Sequence, residues 1–267
     1  MKTFHPAFSA LILAALLPLA FAQTPTAAPA KKIDASAPIA KADANGVINP
    51  GFQKAHESFL ARGKAGPIDV LFLGDSITAG WANAARTHIW ESFYGKNQPA
   101  NFGIGGDQTQ HVIWRIENGE LDGIKPKVTV LMLGTNNTSA APSGHTAAEI
   151  AAADKKIVEL IRAKIPGTKV LLLAIFPRGA RKNPQGVITD AAITDAARRT
   201  EVINAVNVEL AKLDDGKNVR YLDINASFVG QDGKIPFAIM PDQLHPNTAG
   251  YQLWADAMKP LLTEMLK

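Results

Sequence analysis

Five short apolar runs constrain the fold of this chain more than any other feature. They are IDVLFLG ending near Leu73, ANFGI near Phe102, VTVLMLG near Leu133, KVLLLAIF near Ala174 and VRYLDI near Asp223. Runs that are this short and this continuously apolar are typical of strands covered on both faces. Helical patterns separate or follow most of them: HIWESFYGK, TQHVIWRIENGE, TAAEIAAADKKIVELIRAKI, TDAARRTEVINAVNVELAKL and NTAGYQLWADAMKPLLTEML. This alternation predicts an α/β fold, a three-layer α/β/α sandwich around a five-stranded parallel sheet.

The first 22 residues predict a secretory signal peptide. Lys2 precedes an apolar run, and the small-x-small sequence AFA places a cleavage site before Gln23. An uncleaved membrane anchor is the alternative, although the run contains a proline and is shorter than the ~20 residues that span a bilayer. Cleavage predicts a periplasmic or secreted protein with no stable membrane anchor.

The residues after the signal divide into a leader and one domain. Residues 23–46 are rich in Ala, Pro and Lys and have no helical period, which predicts a flexible leader. Residues 47–267 are long enough for a single domain with a full core.

Charge and cysteine content argue against nucleic-acid binding, disulfides and lipid attachment to a thiol. The formal net charge is only +4, without a basic run interleaved with aromatic residues, so nucleic acid is not expected as a partner. The chain has no cysteine, which rules out disulfides and lipid attachment to a thiol.

Polar residues follow the apolar runs where each predicted strand ends. Gly74-Asp75-Ser76 follows the first run, a glycine-rich turn through Gly106 follows the second, and Asn136 follows the third. Asp242 and His245 lie on a loop before the last helix. Ligands bind outside the carboxyl ends of the strands in open parallel sheets, so we expect these groups to meet at one edge.

These residue types suit nucleophilic catalysis on an ester. Ser76 is the candidate nucleophile, His245 the base that removes its proton, and Asp242 the carboxylate that orients the imidazole. Backbone N–H groups of Ser76 and Gly106 and the Asn136 amide are candidate oxyanion donors. No cofactor is expected, because the glycine turn fails the dinucleotide pattern at Gln108.

Other interpretations of single residues remain open. Ser76 alone would suit a helix cap, and Asp75 would suit a turn that shapes the site, a direct catalytic role or a substrate pocket. Phe237 and Met240 would either line that pocket or pack in the core. His145 and Glu149 have the i, i+4 spacing of metal ligands, but two such residues at a helix start are more typical of a solvated face. FPRGARKNPQGVITD and SFVGQDGKIPFAIMPDQLH read as functional loops.

The motifs GDSI, GIGGD, GTNN and DQLH together resemble the SGNH or GDSL hydrolase family. The longer stretch NFGIGGDQTQHVIWRIENGELDGIKPKVTVLMLGTNN, with FPRG and MPDQLH, is similar to the catalytic subunits of intracellular platelet-activating-factor acetylhydrolases. The resemblance implies a flavodoxin-like sandwich, catalysis by Ser76, His245 and Asp242, an oxyanion hole from Ser76, Gly106 and Asn136, no metal, and a homodimer as one expected assembly. The loop at residues 177–197 and the predicted signal peptide depart from those subunits.

These observations predict a serine esterase that acts on short acyl esters, with acetyl expected first, on a small-molecule or carbohydrate substrate. Two alternatives stay open. One is a lipid or thioester hydrolase that uses the same residues on longer acyl chains. The other is a non-catalytic carbohydrate-binding protein on the same fold.

Overall fold

The computed structural model describes residues 1–2, 33–140 and 144–267. Residues 3–22 of the predicted signal peptide and residues 23–32 of the predicted leader lie outside the described residues. Contacts divide the chain into residues 1–31 and residues 32–267, and the architecture below is that of the second part.

Helices and strands alternate along the chain. The helices are α1 (Pro50–Lys64), α2 (Ser76–Ala79), α3 (Thr87–Tyr94), α4 (Thr109–Glu117), α5 (Ala147–Lys164), α6 (Asp190–Ala211) and α7 (Thr248–Met265). The strands are β1 (Val70–Gly74), β2 (Ala100–Gly103), β3 (Val128–Met132), β4 (Lys169–Leu173) and β5 (Val219–Leu222). Short 3-10 turns cover Gly80–Ala82, Ala84–Arg86, Gly95–Asn97, Thr135–Thr138 and Asn225–Phe228.

The five strands form one parallel sheet in the order β2-β1-β3-β4-β5. Side chains alternate between its faces. Leu71 and Leu73 of β1 pack with residues of α4, α5 and α6, whereas Val70 and Phe72 pack with residues of α2, α3 and α7. Both faces are therefore covered by helices, which confirms the predicted three-layer sandwich and explains why the strands read as continuous apolar runs.

All five predicted strands and the five predicted helical patterns are present, and α1 is an element that the sequence patterns above do not predict. Asn49 caps α1 by accepting a hydrogen bond from the Phe52 N–H (3.0 Å), and Pro50 occupies its first turn, where a proline is well tolerated. Phe52 and His56 are its buried residues. No described helix is both long and apolar enough to cross a membrane.

Residues 33–48, here called the N-terminal segment, pack against the domain. This corrects the interpretation of residues 33–46 as a flexible leader. Ala35 is buried, and its carbonyl accepts a hydrogen bond from Thr109 Oγ (2.9 Å), while the Ile39 N–H donates to the Gln110 carbonyl (3.2 Å). Ala42 and Ile48 form an antiparallel bridge. Backbone groups make several of these contacts, and composition does not reveal them.

Asp154 is a carboxyl group buried in the α5 side of the core. It is 1% exposed, and neither of its oxygens has a hydrogen-bond partner among the described residues. It lies near Gly134 at the carboxyl end of β3, where a Cβ would stand 3.5 Å from Asp154 Oδ2. Burial, and then the negative charge of Asp75, raise the pKa of Asp154 well above its ordinary value.

We expect Asp154→Asn to remove a pH-dependent loss of stability. A carboxyl whose pKa is higher in the folded state than in the unfolded state favours folding less as pH rises above about 4. The free energy of unfolding of the variant, measured in urea, should match that of wild type near pH 4 and exceed it by about 1–3 kcal/mol near pH 8.

The exposed acid Asp256 on α7 provides the control for this prediction. Asp256→Asn should change the free energy of unfolding by less than about 0.5 kcal/mol at either pH. An equal effect of Asp154→Asn at both pH values would contradict a buried, weakly ionised Asp154.

Candidate active site

Ser76 stands at the turn between β1 and α2, at the carboxyl edge of the sheet. Asp75 caps α2, because its Oδ1 accepts a hydrogen bond from the Ile77 N–H (2.9 Å). The helix lies tightly on the end of β2. A Cβ at Gly103 would come within 2.2 Å of the Ala79 backbone nitrogen, so this position accepts only glycine. The local packing therefore fixes where Ser76 is presented.

Asp242 and His245 are held by a tight loop before α7. Gln243 between them has φ = 60°, an uncommon conformation for a residue with a side chain. Its side-chain amide donates to the carbonyls of Ile235 (3.2 Å) and Met240 (3.1 Å). These bonds hold the left-handed turn that directs Asp242 and His245 to the same side.

Ser76, His245 and Asp242 form a continuous hydrogen-bonded triad. Ser76 Oγ lies 2.9 Å from His245 Nε2, and His245 Nδ1 lies 2.8 Å from Asp242 Oδ2. With Nδ1–H donated to the carboxylate, Nε2 is free to accept the hydroxyl proton. The imidazole and the carboxylate are 38% and 37% exposed, so solvent and substrate can reach the triad.

Asp242 is the most heavily hydrogen-bonded member of the triad. Its Oδ1 accepts from the backbone N–H of His245 (2.7 Å) and of Leu244 (3.1 Å). Partial burial alone would raise the pKa of Asp242, but the hydrogen bonds from the His245 backbone and ring hold that pKa below its ordinary value. Asp242 is therefore ionised at neutral pH and can stabilise an imidazolium.

A glycine turn lies against Ser76 on the other side. The Asp107 N–H donates to the Ile104 carbonyl (3.2 Å), which closes a four-residue β-turn. Gly106, the third residue of the turn, has φ = +72°, as a type II turn requires. A Cβ at Gly105 would stand 4.0 Å from Ser76 Cβ. The N–H groups of Ser76 and Gly106 have no hydrogen-bond partner within the described parts of the chain, so both are available as donors.

Lys41 of the N-terminal segment holds this turn in place. Its ammonium donates to the Gly105 carbonyl (2.7 Å) and pairs with Asp107 Oδ1 (2.7 Å). Arg115 approaches Asp107 from the core, with its Nε 3.1 Å from Oδ2. Arg115 also donates to the carbonyls of Phe102 (3.0 Å) and Gly74 (3.3 Å), which join the ends of β2 and β1. The turn is thus fixed from both the surface and the interior.

Asn136 presents its side-chain amide beside Asp75 and the glycine turn. Nδ2 donates to the Asp107 carbonyl (2.8 Å) and, over a longer distance, to Asp75 Oδ2 (3.3 Å). Asp75 therefore orients the amide. Burial raises the pKa of Asp75 to about 7, against the opposing hydrogen bond from the Ile77 N–H.

The three residues predicted to line a substrate pocket differ in their exposure to solvent. Asp75 and Met240 are 1% and 0% exposed, so they support the site from beneath and do not line a substrate pocket. Both side chains pack against other buried residues, and the sequence pattern of a strand end or a loop does not distinguish such a position from one that lines a pocket. Phe237 is 48% exposed, with Lys182 Nζ 5.3 Å from the centre of its ring.

His145 is not on a solvated face. It is 7% exposed, with Nε2 2.9 Å from the Ile33 carbonyl and Nδ1 3.3 Å from Asn137 Nδ2. Its ring joins the N-terminal segment to the turn that carries Asn136. Among the described residues, no group of three or more His, Asp or Glu side chains is placed to hold a metal ion.

The matches to known proteins agree with this geometry. A family model described as the GDSL-like Lipase/Acylhydrolase family matches residues 72–253. Platelet-activating factor acetylhydrolase IB subunit alpha2 of Rattus norvegicus is 36% identical over 212 residues, covering 79% of this chain and 83% of that subunit. Subunit alpha1 of Homo sapiens is 35% identical over 211 residues, covering 79% and 82%.

A solved GDSL-like lipase from Bacteroides thetaiotaomicron shares the fold, with a TM-score of 0.57, 20% identity, and coverage of 78% of this chain and 97% of that one. Together the fold and the family match define a carboxylic ester hydrolase. Within that class, the chain belongs to the GDSL-like lipase/acylhydrolase family.

The sequence patterns do not identify two residues near the triad, Lys41 and Arg181. Lys41 lies in a segment without periodicity, and only its charge marks it. Arg181 donates through Nη2 to Asp242 Oδ2 (2.9 Å), the same oxygen that His245 contacts. It lies in FPRGARKNPQGVITD, a loop that the sequence does assign to function, but no motif there indicates which arginine reaches the triad.

Proposed function

We propose that this protein is a serine esterase that hydrolyses short-chain esters, with acetyl preferred, through an acyl-enzyme intermediate. The observation that carries the proposal is the unbroken line of hydrogen bonds from Ser76 through His245 to Asp242. The 36% identical relatives are acetylhydrolases by name, which supports the acetyl preference.

The reaction would proceed in two half-reactions. Ser76 Oγ attacks the ester carbonyl carbon while His245 Nε2 takes its proton, and Asp242 stabilises the imidazolium. The oxyanion accepts hydrogen bonds from the N–H groups of Ser76 and Gly106 and from Asn136 Nδ2, whose longer bond to Asp75 is the one available to share. His245 then protonates the departing alcohol. A water activated by the same histidine releases the acid.

A chain-length series tests the acyl preference. kcat/KM should be highest for para-nitrophenyl acetate and fall steadily through butyrate to octanoate. Activity that rises from acetate to octanoate would favour the lipid or thioester hydrolase instead. Absence of turnover on every ester would favour a binding protein on this fold.

The natural alcohol is proposed to be a small molecule or a carbohydrate, encountered outside the cytoplasm. The motivation for export is the sequence of residues 1–22, with its charged start, apolar run and small-x-small site. Amino-terminal sequencing of protein from a secreting host should begin at Gln23. A mature protein that retains residues 1–22 would contradict cleavage and favour the anchored alternative.

We expect Lys41→Met to lower kcat about 10-fold with little change in KM. The substitution keeps the length of the side chain but removes the ammonium that holds the Gly105 carbonyl and Asp107. The Gly106 N–H would then be less well aimed, a smaller loss than the 10²–10³ typical of deleting an oxyanion donor.

Conservative and distant variants separate this effect from general damage. Lys41→Arg should recover most of the lost kcat, because it restores a cation at the turn. Lys54→Met, at an exposed position of α1, should behave as wild type. A Lys41→Met enzyme with wild-type kcat would show that the N-terminal segment does not align the turn.

A further inference from the structure

A small cavity lined by arginines opens beside the triad, between the loop after β4 and helix α6. It has a volume of about 200 Å³, and its charged lining residues are Arg178, Arg181, Asp195 and Arg199. We call it the arginine cavity. The triad chemistry described above does not use these arginines.

Positive charge exceeds negative charge around this cavity. Asp195 is shared by Arg199 Nε (2.6 Å) and by Arg198 Nη2 (2.7 Å), which lies next to the lining. Arg181 forms an ion pair with one carboxylate among the described residues, that of Asp242. Two carboxylates therefore face four guanidinium groups.

Arg178 carries the uncompensated charge. Its Nη1 approaches Thr135 Oγ (3.3 Å), it forms no ion pair within the described parts of the chain, and its buried Nε has no hydrogen-bond partner there. Burial, and then the positive charge of Arg199, lower the pKa of Arg178 to about 10. A bound anion would relieve both the burial of this cation and the repulsion between the arginines.

The position of the cavity indicates which part of a substrate would reach it. His245 Nε2 must contact the leaving oxygen to protonate it, so the alcohol half of the ester extends past His245. Arg181 bonds to the same Asp242 oxygen as the imidazole, so the cavity adjoins the histidine that the alcohol half must pass. Arg178 contacts Thr135, the neighbour of Asn136.

We propose that the arginine cavity is an anion subsite that binds a carboxylate or phosphate group on the alcohol half of the ester. Planar guanidinium groups match both of these oxyanions in geometry. The inference rests on the proposed function and narrows it: the natural substrate is an acylated alcohol that carries a negative charge.

Matched pairs of acetate esters test the subsite. One pair is para-carboxyphenyl acetate and its neutral methyl ester; the other is para-acetoxyphenyl phosphate and its neutral dimethyl ester. The measured quantity is the ratio of kcat/KM for the charged ester to that for its neutral partner. Each variant is compared with wild type through this ratio, so any general change in reactivity cancels.

Removing one arginine should lower the ratio about 10-fold for at least one pair. Arg199→Gln is the first variant, because Arg199 contacts neither the triad nor Thr135, and Arg178→Met is the second. Arg220→Gln is the matched control, since Arg220 lies on β5, away from the cavity, and pairs with Glu264 and Asp214. The pair whose ratio falls identifies the anion as carboxylate or phosphate.

Salt provides a second measurement that needs no variant. Raising NaCl from about 0.05 M to about 0.5 M should reduce the wild-type ratio and leave turnover of the neutral esters nearly constant. A ratio that neither cavity variant changes, or that salt does not change, would overturn the subsite.

Failure of the subsite can be distinguished from failure of the esterase proposal. Turnover of neutral esters that depends on Ser76, with no effect of Arg199→Gln on the ratio, overturns the subsite alone. If no ester is turned over, the esterase proposal fails, and calorimetry with inorganic phosphate and with benzoate decides the subsite. Binding of either ion that weakens about 10-fold in Arg199→Gln supports it, and binding equal in both proteins, or none, overturns it.

Discussion

Ser76→Ala is expected to lower kcat for para-nitrophenyl acetate by about 10⁴–10⁶. The substitution removes the only hydroxyl within hydrogen-bond distance of His245 Nε2 among the described residues, at 2.9 Å, and with it the acyl-enzyme route. The oxyanion donors remain, so a small residual rate above that of water alone should persist. Steady-state turnover and a burst of para-nitrophenol at high enzyme concentration are the measurements.

The fold should survive this substitution. Ser76 is the first residue of α2, and Asp75 caps that helix, so the loss of the hydroxyl leaves the cap intact. Ser58→Ala, at an exposed position of α1, is the control and should retain wild-type kcat. Ser76→Ala with more than a tenth of wild-type activity would mean that another group performs the reaction.

Asp242→Asn is expected to lower kcat by about 10⁴ through the wrong histidine tautomer. Oδ1 accepts two backbone N–H groups, so the amide oxygen of the variant must occupy that position. The amide nitrogen then faces His245 Nδ1 and donates to it. The ring must carry its proton on Nε2, where it can no longer accept the proton of Ser76.

Steady-state values of kcat and KM check this explanation. The variant should keep its KM while kcat falls, because Asp242 does not contact the acyl group. Asp232→Asn is a matched control: Asp232 also accepts a backbone N–H two residues on, from Lys234 (3.1 Å), but in an exposed turn. If Asp242→Asn retained more than about a hundredth of wild-type kcat, orientation of the imidazole by Asp242 would be dispensable.

Much of the fold follows from residue patterns that reflect burial. β1 and β3 are buried at every position, which is why VLFLG and VTVLM contain almost no polar side chain. The amphipathic patterns of α5 and α6 are readable for the same reason, since one face of each helix packs on the sheet. Once a parallel sheet is inferred, the meeting of Ser76 and His245 across 169 positions follows from where strands end.

Other parts of the site depend on contacts that composition does not encode. Residues 33–48 are anchored through backbone groups such as the Ala35 carbonyl and the Ile39 N–H, and every residue type except proline offers both of these groups. Asp75 and Met240 differ in polarity and are equally buried, because a capped helix and a packed loop enclose them. The contact of Arg181 with Asp242 depends on the path of a loop, which periodicity does not determine.

The account as a whole depends on whether His245 and Asp242 make Ser76 nucleophilic. Treatment with a fluorophosphonate, followed by peptide mass spectrometry, tests this directly, because a serine must be activated to attack phosphorus. We predict a single adduct on Ser76 in the wild-type protein, much slower labelling in Asp242→Asn, and no adduct in Ser76→Ala. An unlabelled wild-type protein, or an adduct on a different residue, would contradict the account.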